Sequence, residues 1–301
     1  MKTCNSLSGG RTSSYIAANY PADINVFALC CIDDHNANAH YRKFFKDHGI
    51  IQKVNDRLQK YCPHYPEFVA TSEDPVVLKT MLDLEQMIGQ EIIWVRGLGW
   101  EKMMDIKKAI PNIDKRFCTT IMKMKSIFEL LFMHFELPVK MRLGYRYDEL
   151  ERAERFTETW KYATHCEIGK GRRRPIIKGD YYYGDTPYFM NRWQTTVWRE
   201  GEFPLVEDKI THYHIQQFWK DKDLVFPLDS NCQNCFHKDE QQLRKNFDTN
   251  KPIMLWSAMQ EMLRGNTFKE DYTFFEIQRL GIQLDFFYGG GSGCQAGFCT
   301  N

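Results

Sequence analysis

From the amino terminus onward, short apolar runs alternate with stretches of helical spacing. Lys2 to Leu7 predicts a strand, Ser13 to Tyr20 a short helix stopped by Pro21, and Val26 to Ile32 a second strand apolar on both faces. His40 to Lys46 predicts a helix, Phe68 to Thr71 a short strand, Pro75 to Ile88 a helix with proline at its start, and Ile92 to Val95 a strand. Ile121 to Leu137, rich in Met, Phe and Leu, predicts another helix, and Pro138 to Gly144 the next strand. Doubly apolar strands separated by helices are the mark of a parallel sheet covered on both faces. The fold class expected is therefore α/β, a doubly wound parallel sheet.

The pattern changes near Thr157. Lys170 to Pro175 carries the run Arg172-Arg173-Arg174, followed by Tyr181-Tyr182-Tyr183-Gly184 and Tyr188 to Trp193, an irregular and partly β insert. Helices are then predicted over Tyr213–Lys220, Lys238–Phe247, Pro252–Leu263 and Thr273–Leu280. This divides the chain into an α/β domain over 1–155 and, over 156–301, a mixed insert plus a helical, cysteine-bearing C-terminal region. The end, Gly289 to Asn301, is glycine-rich and holds two thiols.

Forty Lys plus Arg stand against 39 Asp plus Glu, a net charge of +1, so any polyanion contact must come from a local patch. The Arg172–Arg174 run with its aromatic neighbours is the candidate for such a patch toward nucleic acid, against the plainer reading of a solvated loop. With 43% hydrophobic and 26% charged residues, no secretory leader and no apolar run of spanning length, a cytoplasmic protein is expected.

Ten cysteines in such a chain read as core residues, metal ligands or redox thiols before a disulfide framework. Cys30 and Cys31 sit in an apolar run and read as core packing. Cys232-Gln233-Asn234-Cys235 differs, because a C-x-x-C spacing lets two thiolates converge on one metal or one disulfide. Cys118 precedes a predicted helix, and Cys294 and Cys299 lie on the tail.

Between the first strand and first helix stands Ser6-Leu7-Ser8-Gly9-Gly10-Arg11-Thr12-Ser13. Glycines let backbone N–H groups turn toward an anion, hydroxyls add donors, and the helix N-terminus adds positive potential. The loop reads as a phosphate or sulfate site, against the plainer reading of a strand-to-helix turn with Gly and Ser for steric reasons, and it lacks the G-x-x-x-x-G-K-[ST] spacing of a Walker A loop.

The loop resembles the PP-loop of the adenine nucleotide alpha-hydrolase superfamily. Arg116-Phe117-Cys118-Thr119 with Lys123 and Lys125, Leu143 to Glu149 with Arg152, and Asn231 to Lys238 narrow the resemblance to the phosphoadenosine phosphosulfate reductase-like branch, of bacterial and phage type. The chain departs from that branch at Arg11-Thr12, where Lys-Asp is usual, and at Asp33-Asp34-His35-Asn36. It also lacks the Glu-Cys-Gly-Leu-His signature, which counts against assimilatory sulfate reduction.

The resemblance implies an enzyme that binds ATP or a sulfonucleotide on Ser6, Ser8, Gly9, Gly10, Arg11, Thr12 and Ser13, with Mg²⁺ near Asp33 or Asp34. It implies adenylation of an acceptor with diphosphate release, or its thiolation. The alternatives are thiol-dependent reduction of a sulfonucleotide and a catalytically idle nucleotide-binding protein. Arg146 resembles the family's ligand-facing arginine and Lys123 a cation for the leaving group. Relatives hold a [4Fe-4S] cluster, so Cys118, Cys232, Cys235 and Cys299 are the implied ligand set, with zinc as the alternative metal. Cys299 is also the candidate catalytic thiol, with Cys294 its resolving neighbour.

Overall fold

The computed structural model describes residues 1–38, 49–167, 173–175, 189–229 and 232–281. The chain opens with β1 (Thr3–Leu7), α1 (Arg11–Asn19), β2 (Ile24–Leu29) and β3 (Cys31–Ile32). It continues through α2 (Ile50–Tyr61), β4 (Ala70–Thr71), α3 (Val76–Ile88), β5 (Ile92–Arg96) and α4 (Trp100–Lys107). A π-helical turn (Thr119–Met124) runs into α5 (Lys125–His134), and β6 (Val139–Arg142) is followed by a 3-10 turn (Tyr147–Glu149) and α6 (Leu150–Glu154). Then come β7 (Thr159–Glu167), β8 (Arg173–Pro175), β9 (Phe189–Val197) and β10 (Arg199–Glu202). The last elements are α7 (Pro204–Glu207), α8 (His212–Lys220), α9 (Glu240–Thr249), α10 (Lys251–Arg264) and α11 (Phe274–Arg279).

Five strands form an all-parallel sheet in the order β10-β6-β1-β2-β5. The chain leaves β1 toward β2 and β5, then returns to the other side of β1 as β6. The strand order thus reverses between β1 and β6, where open α/β sheets form a crevice at their carboxyl ends. Alternate residues of the central strands enter two cores. Phe27, Leu29 and Trp94 pack with Ile16, Leu78 and Met81, while Val26, Ala28 and Val95 pack with Phe128, Leu131 and Met141. Both faces are therefore buried, which explains why β2 and β5 read as continuous apolar runs.

Local signals set several boundaries. Gly89, at φ +64°, ends α3 in the left-handed conformation that glycine adopts without a Cβ clash. Thr273 and Glu276 form a reciprocal capping box at the start of α11.

Several expectations change. The run Val26–Ile32 is not one strand: it breaks at Cys30, and Cys31–Ile32 pairs antiparallel with Ala70–Thr71. The cause lies in the backbone bonds, since Cys30 N–H turns to Glu73 Oε2 (3.3 Å) and Cys30 C=O accepts from Ser72 N–H (3.0 Å). The helix expected from Ile121 begins with the π turn, and Ser126 Oγ at the start of α5 donates back to the Met122 carbonyl (2.6 Å). Pro138–Gly144 supplies the next strand as β6, and the sheet continues past it, because β10 pairs in parallel beside β6. The insert forms an antiparallel sheet in the order β8-β7-β9. Helices α2 and α4 carried no expectation. His40–Lys46, Arg172, Tyr181–Tyr188, Asn231 and the tail with Cys294 and Cys299 lie outside the described residues. No helix among the described residues is long and apolar enough to cross a membrane.

Candidate functional site

A cavity of about 290 Å³ opens at the carboxyl ends of β1, β2 and β6. The Ser6–Ser13 loop forms one wall. Gly9 holds φ +78°, and a Cβ there would collide with Val77 Cγ1 of α3, so glycine is required for both conformation and space. Gly9 itself faces α3, while Ser6, Ser8, Gly10, Arg11, Thr12 and Ser13 line the cavity. Ser13 Oγ accepts from Ser8 N–H (3.1 Å), meets Ser8 Oγ (3.1 Å) and donates to the Gly10 carbonyl (3.1 Å), which fixes the turn. No side-chain cap occupies the start of α1 and no acidic residue stands in its first turn, so its N–H groups and positive dipole end face the cavity.

The opposite wall follows β6. A Cβ on Gly144 would lie 3.2 Å from Thr12 Cγ2 and 3.5 Å from Ser13 N, a measure of how closely this segment approaches the loop. Arg146 reaches Thr12 Oγ1 with Nη1 (3.5 Å) while Asp148 (3.0 Å) and Glu149 (3.2 Å) hold its other nitrogens. The Asp148–Arg152 pair allowed by helical spacing is not formed: Asp148 lies in the 3-10 turn and faces Arg146, and Arg152 pairs with Glu149 (2.9 Å). Arg11, Arg116, Lys123, Arg146, Arg152 and Arg199 all line the cavity, and none of its described lining residues is a carboxylate. Carboxylates behind the lining pair with Lys123, Arg146 and Arg152, while the lining itself presents cations, which favours anionic ligands.

Behind the loop lies a second chemistry. Lys123, on the π turn, pairs with Glu73 Oε1 (2.9 Å), and the fully buried Glu73 also accepts from Thr71 Oγ1 (2.9 Å) and Cys30 N–H. Cys30, Cys118, Cys232 and Cys235 line the same cavity. The C-x-x-C loop is pinned on both sides: Gln233 N–H donates to the Ser72 carbonyl (2.6 Å), and Asn246 donates to the Gln233 carbonyl (2.7 Å). Since Ser72 N–H in turn bonds the Cys30 carbonyl, one residue joins the end of β2 to that loop.

Interaction with Cys30 lowers the Cys232 pKa against its burial, with help from Lys123, and the same interaction together with burial raises that of Cys30. Burial pushes Cys118 up to about 11 and Cys235 up to about 12. Burial, then the charges of Arg116 and Lys269, depress His237 to about 4, so its ring is neutral at pH 7.

The sequence-selected residues thus divide. The loop, Lys123, Arg146, Cys118, Cys232 and Cys235 meet in one cavity. Asp33 is not among the described residues lining it: its carboxylate pairs with the buried Arg96 (2.7 Å) and stands against Gly99, which leaves it engaged rather than open to Mg²⁺. Cys299 lies outside the described residues. Cys30 and Cys31 both pack in the core as expected, and Cys30 also borders the cavity. Among the described residues no group of three or more His, Cys, Asp or Glu side chains is placed to hold a metal ion, and the fourth member of the implied ligand set, Cys299, is not among them. Arg199 and Cys30 are the additions that sequence reasoning missed, and Arg116 enters from a motif it had singled out without a role. Comparison with known proteins finds no matching family model, no matching curated protein and no matching solved structure.

Proposed function

We propose that the chain is a PP-loop nucleotide-binding enzyme that takes an adenine nucleotide with its phosphates on Ser6–Ser13. The observation that carries this reading is the cavity at the strand-order reversal, where an uncapped helix N-terminus and a glycine-dependent turn face a wall of cations. The fold reading that accompanies it is a doubly wound, adenine nucleotide alpha-hydrolase-like sheet with a helical C-terminal region, supported by cores on both sheet faces. In this reading an acceptor attacks the α-phosphorus and diphosphate departs. The loop N–H groups, Arg146 and Lys123 would stabilise the charge on the departing oxygens as preorganised donors. No step is assigned to a metal.

The second reading, thiol-dependent reduction of a sulfonucleotide, is favoured by one observation: four thiols line the same cavity as the anion loop. Calorimetric titration of the full chain with ATP, adenosine phosphosulfate and phosphoadenosine phosphosulfate separates the two. ATP binding followed by diphosphate release supports the first; preference for a sulfonucleotide with oxidation of protein thiols supports the second. Failure to bind any adenine nucleotide would sink both. Arg146→Ala should weaken nucleotide binding roughly tenfold, about 1.4 kcal/mol.

A further inference from the structure

We propose that the inner end of the cavity is a second anion subsite, in which Arg199 and the indole N–H of Trp198 take the carboxylate of a compact carboxylic acid. It stands apart from the phosphates on Ser6–Ser13, and only the naming of that acid as the acceptor rests on the nucleotide reading.

The first observation is a buried cation without a counter-ion. Arg199 lines the cavity at 7% exposure, and among the described residues no carboxylate pairs with it. Its Nε donates to the Thr157 carbonyl (2.9 Å), its Nη1 meets the Met141 sulfur (3.5 Å), and its guanidinium lies over the rings of Phe156 (4.2 Å) and Trp198 (4.5 Å). Rings and neutral acceptors lessen the cost of burying a charge but do not neutralise it. Burial pushes the Arg199 pKa down to about 10, which leaves it charged at pH 7. Lys123, Arg146 and Arg152 differ, since each has an acid partner.

The second observation is the neighbouring residue. Trp198 is fully buried and lines the same cavity, and its indole N–H has no acceptor among the described residues. An unpaired buried donor costs stability just as an unpaired charge does. One anion bound there would answer both.

The remaining donors define that anion. With Nε and one Nη1 hydrogen engaged, Arg199 keeps Nη2 and the other Nη1 N–H, the fork that a carboxylate matches with two oxygens. One cation also suits a single negative charge. Ala28, Ile127 and Leu143 line the cavity as well, and they suit an apolar body behind the carboxylate. The subsite is not the loop: Met141, which Nη1 reaches, pairs with Cys4, about three residues or roughly 10 Å short of Leu7 along the strand.

The test unfolds full-length protein by heat, without nucleotide, in benzoate, in its neutral isostere benzamide, or in inorganic phosphate. A ligand held by the folded state raises the midpoint. Benzoate should raise it saturably at millimolar concentration, and benzamide should not. In Arg199→Met the apparent benzoate affinity should fall tenfold or more. In Trp198→Phe, which keeps a ring but removes the N–H, it should fall threefold to tenfold, and this variant carries the test if the first does not fold. Phosphate is the arm for a nucleotide phosphate at Arg199, and its affinity should stay within twofold in Arg199→Met because the loop takes it. Benzoate that acts no differently from benzamide, or that binds the variants as it binds wild type, would overturn the proposal. A parallel loss of benzoate and phosphate in Arg199→Met would do the same, by making the cavity one anion site. Phosphate without effect on either protein would remove support from the loop while the benzoate result still upheld the subsite, so the two readings fail separately.

Discussion

Two cavities flank the segment that runs from Cys118 through α5, and their linings have little in common. On the sheet edge the wall is glycine, serine, thiol and arginine; on the other side a roomier cavity of about 420 Å³ is lined by Tyr61, Phe128, Phe132, Trp160, Tyr162 and Trp193. The aromatic side is built from rings in contact with one another. Phe128 stacks on Trp160 at 5.5 Å and also meets Phe132, Tyr162 and Trp198. Such rings bury large areas and fix the insert sheet against α5, a packing task. The sheet-edge side holds polar groups that strands and helices leave pointing outward where they end. Size therefore does not mark the site; the convergence of strand ends, a helix start and unlike polar groups does.

The widest test of that division is Phe128→Ala. The side chain is 3% exposed, and its removal should cost about 4 kcal/mol in denaturant unfolding, the order expected for a buried phenylalanine. Nucleotide affinity of the remaining folded protein should stay within about twofold, since the lost ring serves packing. A large affinity loss in folded protein would erase the distinction between the two sides.

A second test acts behind the thiol loop. Glu261 accepts from Phe268 N–H (2.9 Å) and Phe274 N–H (2.7 Å), and Phe268 packs on Trp100, whose indole holds Ser72 (2.9 Å). Burial raises the Glu261 pKa from 4.5 to about 7. A carboxyl with a raised folded pKa binds more protons folded than unfolded between those values, so stability falls as pH rises from 4.5 to 7 and is level above. The span is about 3 kcal/mol at most. Glu261→Gln should flatten that slope in thermal unfolding; an unchanged slope would show that another group carries it.

Lys123→Met should follow in size. It strands the buried Glu73 carboxylate and should cost about 2–3 kcal/mol, less than a wholly buried pair because Lys123 is 27% exposed. Adding Glu73→Gln should restore part of the loss. If the single variant is as stable as wild type, the pair is only a cavity charge and its structural role is wrong.

How far the sequence led differs between the two sides as well. The turn from β1 into α1 was legible in Ser6–Ser13 because glycines and hydroxyls stand between an apolar run and a helical pattern, and the helix Pro75–Ile88 because proline marks its start. The strand break at Cys30 was not: an apolar run carries no sign that one peptide in it leaves the sheet for Glu73. Asp33 read as an open carboxylate because the arginine that claims it, Arg96, ends an apolar strand far along the chain. The charged strand Arg199–Glu202 escaped notice because an edge strand need not be apolar, and its Arg142–Glu202 contact (2.5 Å) is a pairing across strands. Each miss is a contact between segments distant in sequence, which periodicity cannot express.

The smallest effect expected comes from Gly144→Ala, and it isolates the sheet edge from everything else. Gly144 lies outside the left-handed region, so alanine meets no backbone penalty there, and the nearest atom to its new methyl is Thr12 Cγ2 at 3.2 Å. A side-chain methyl can yield by a few tenths of an ångström, so stability should change by less than about 1 kcal/mol. The cost falls instead on the loop, because Thr12 and Ser13 begin α1 and can move only by turning their N–H groups off the anion position. Nucleotide affinity should drop about threefold to tenfold while the unfolding midpoint stays nearly constant. If affinity is unchanged, the approach of the β6 segment to the loop does not shape the anion site, and the ligand must rest on the cations of the other wall.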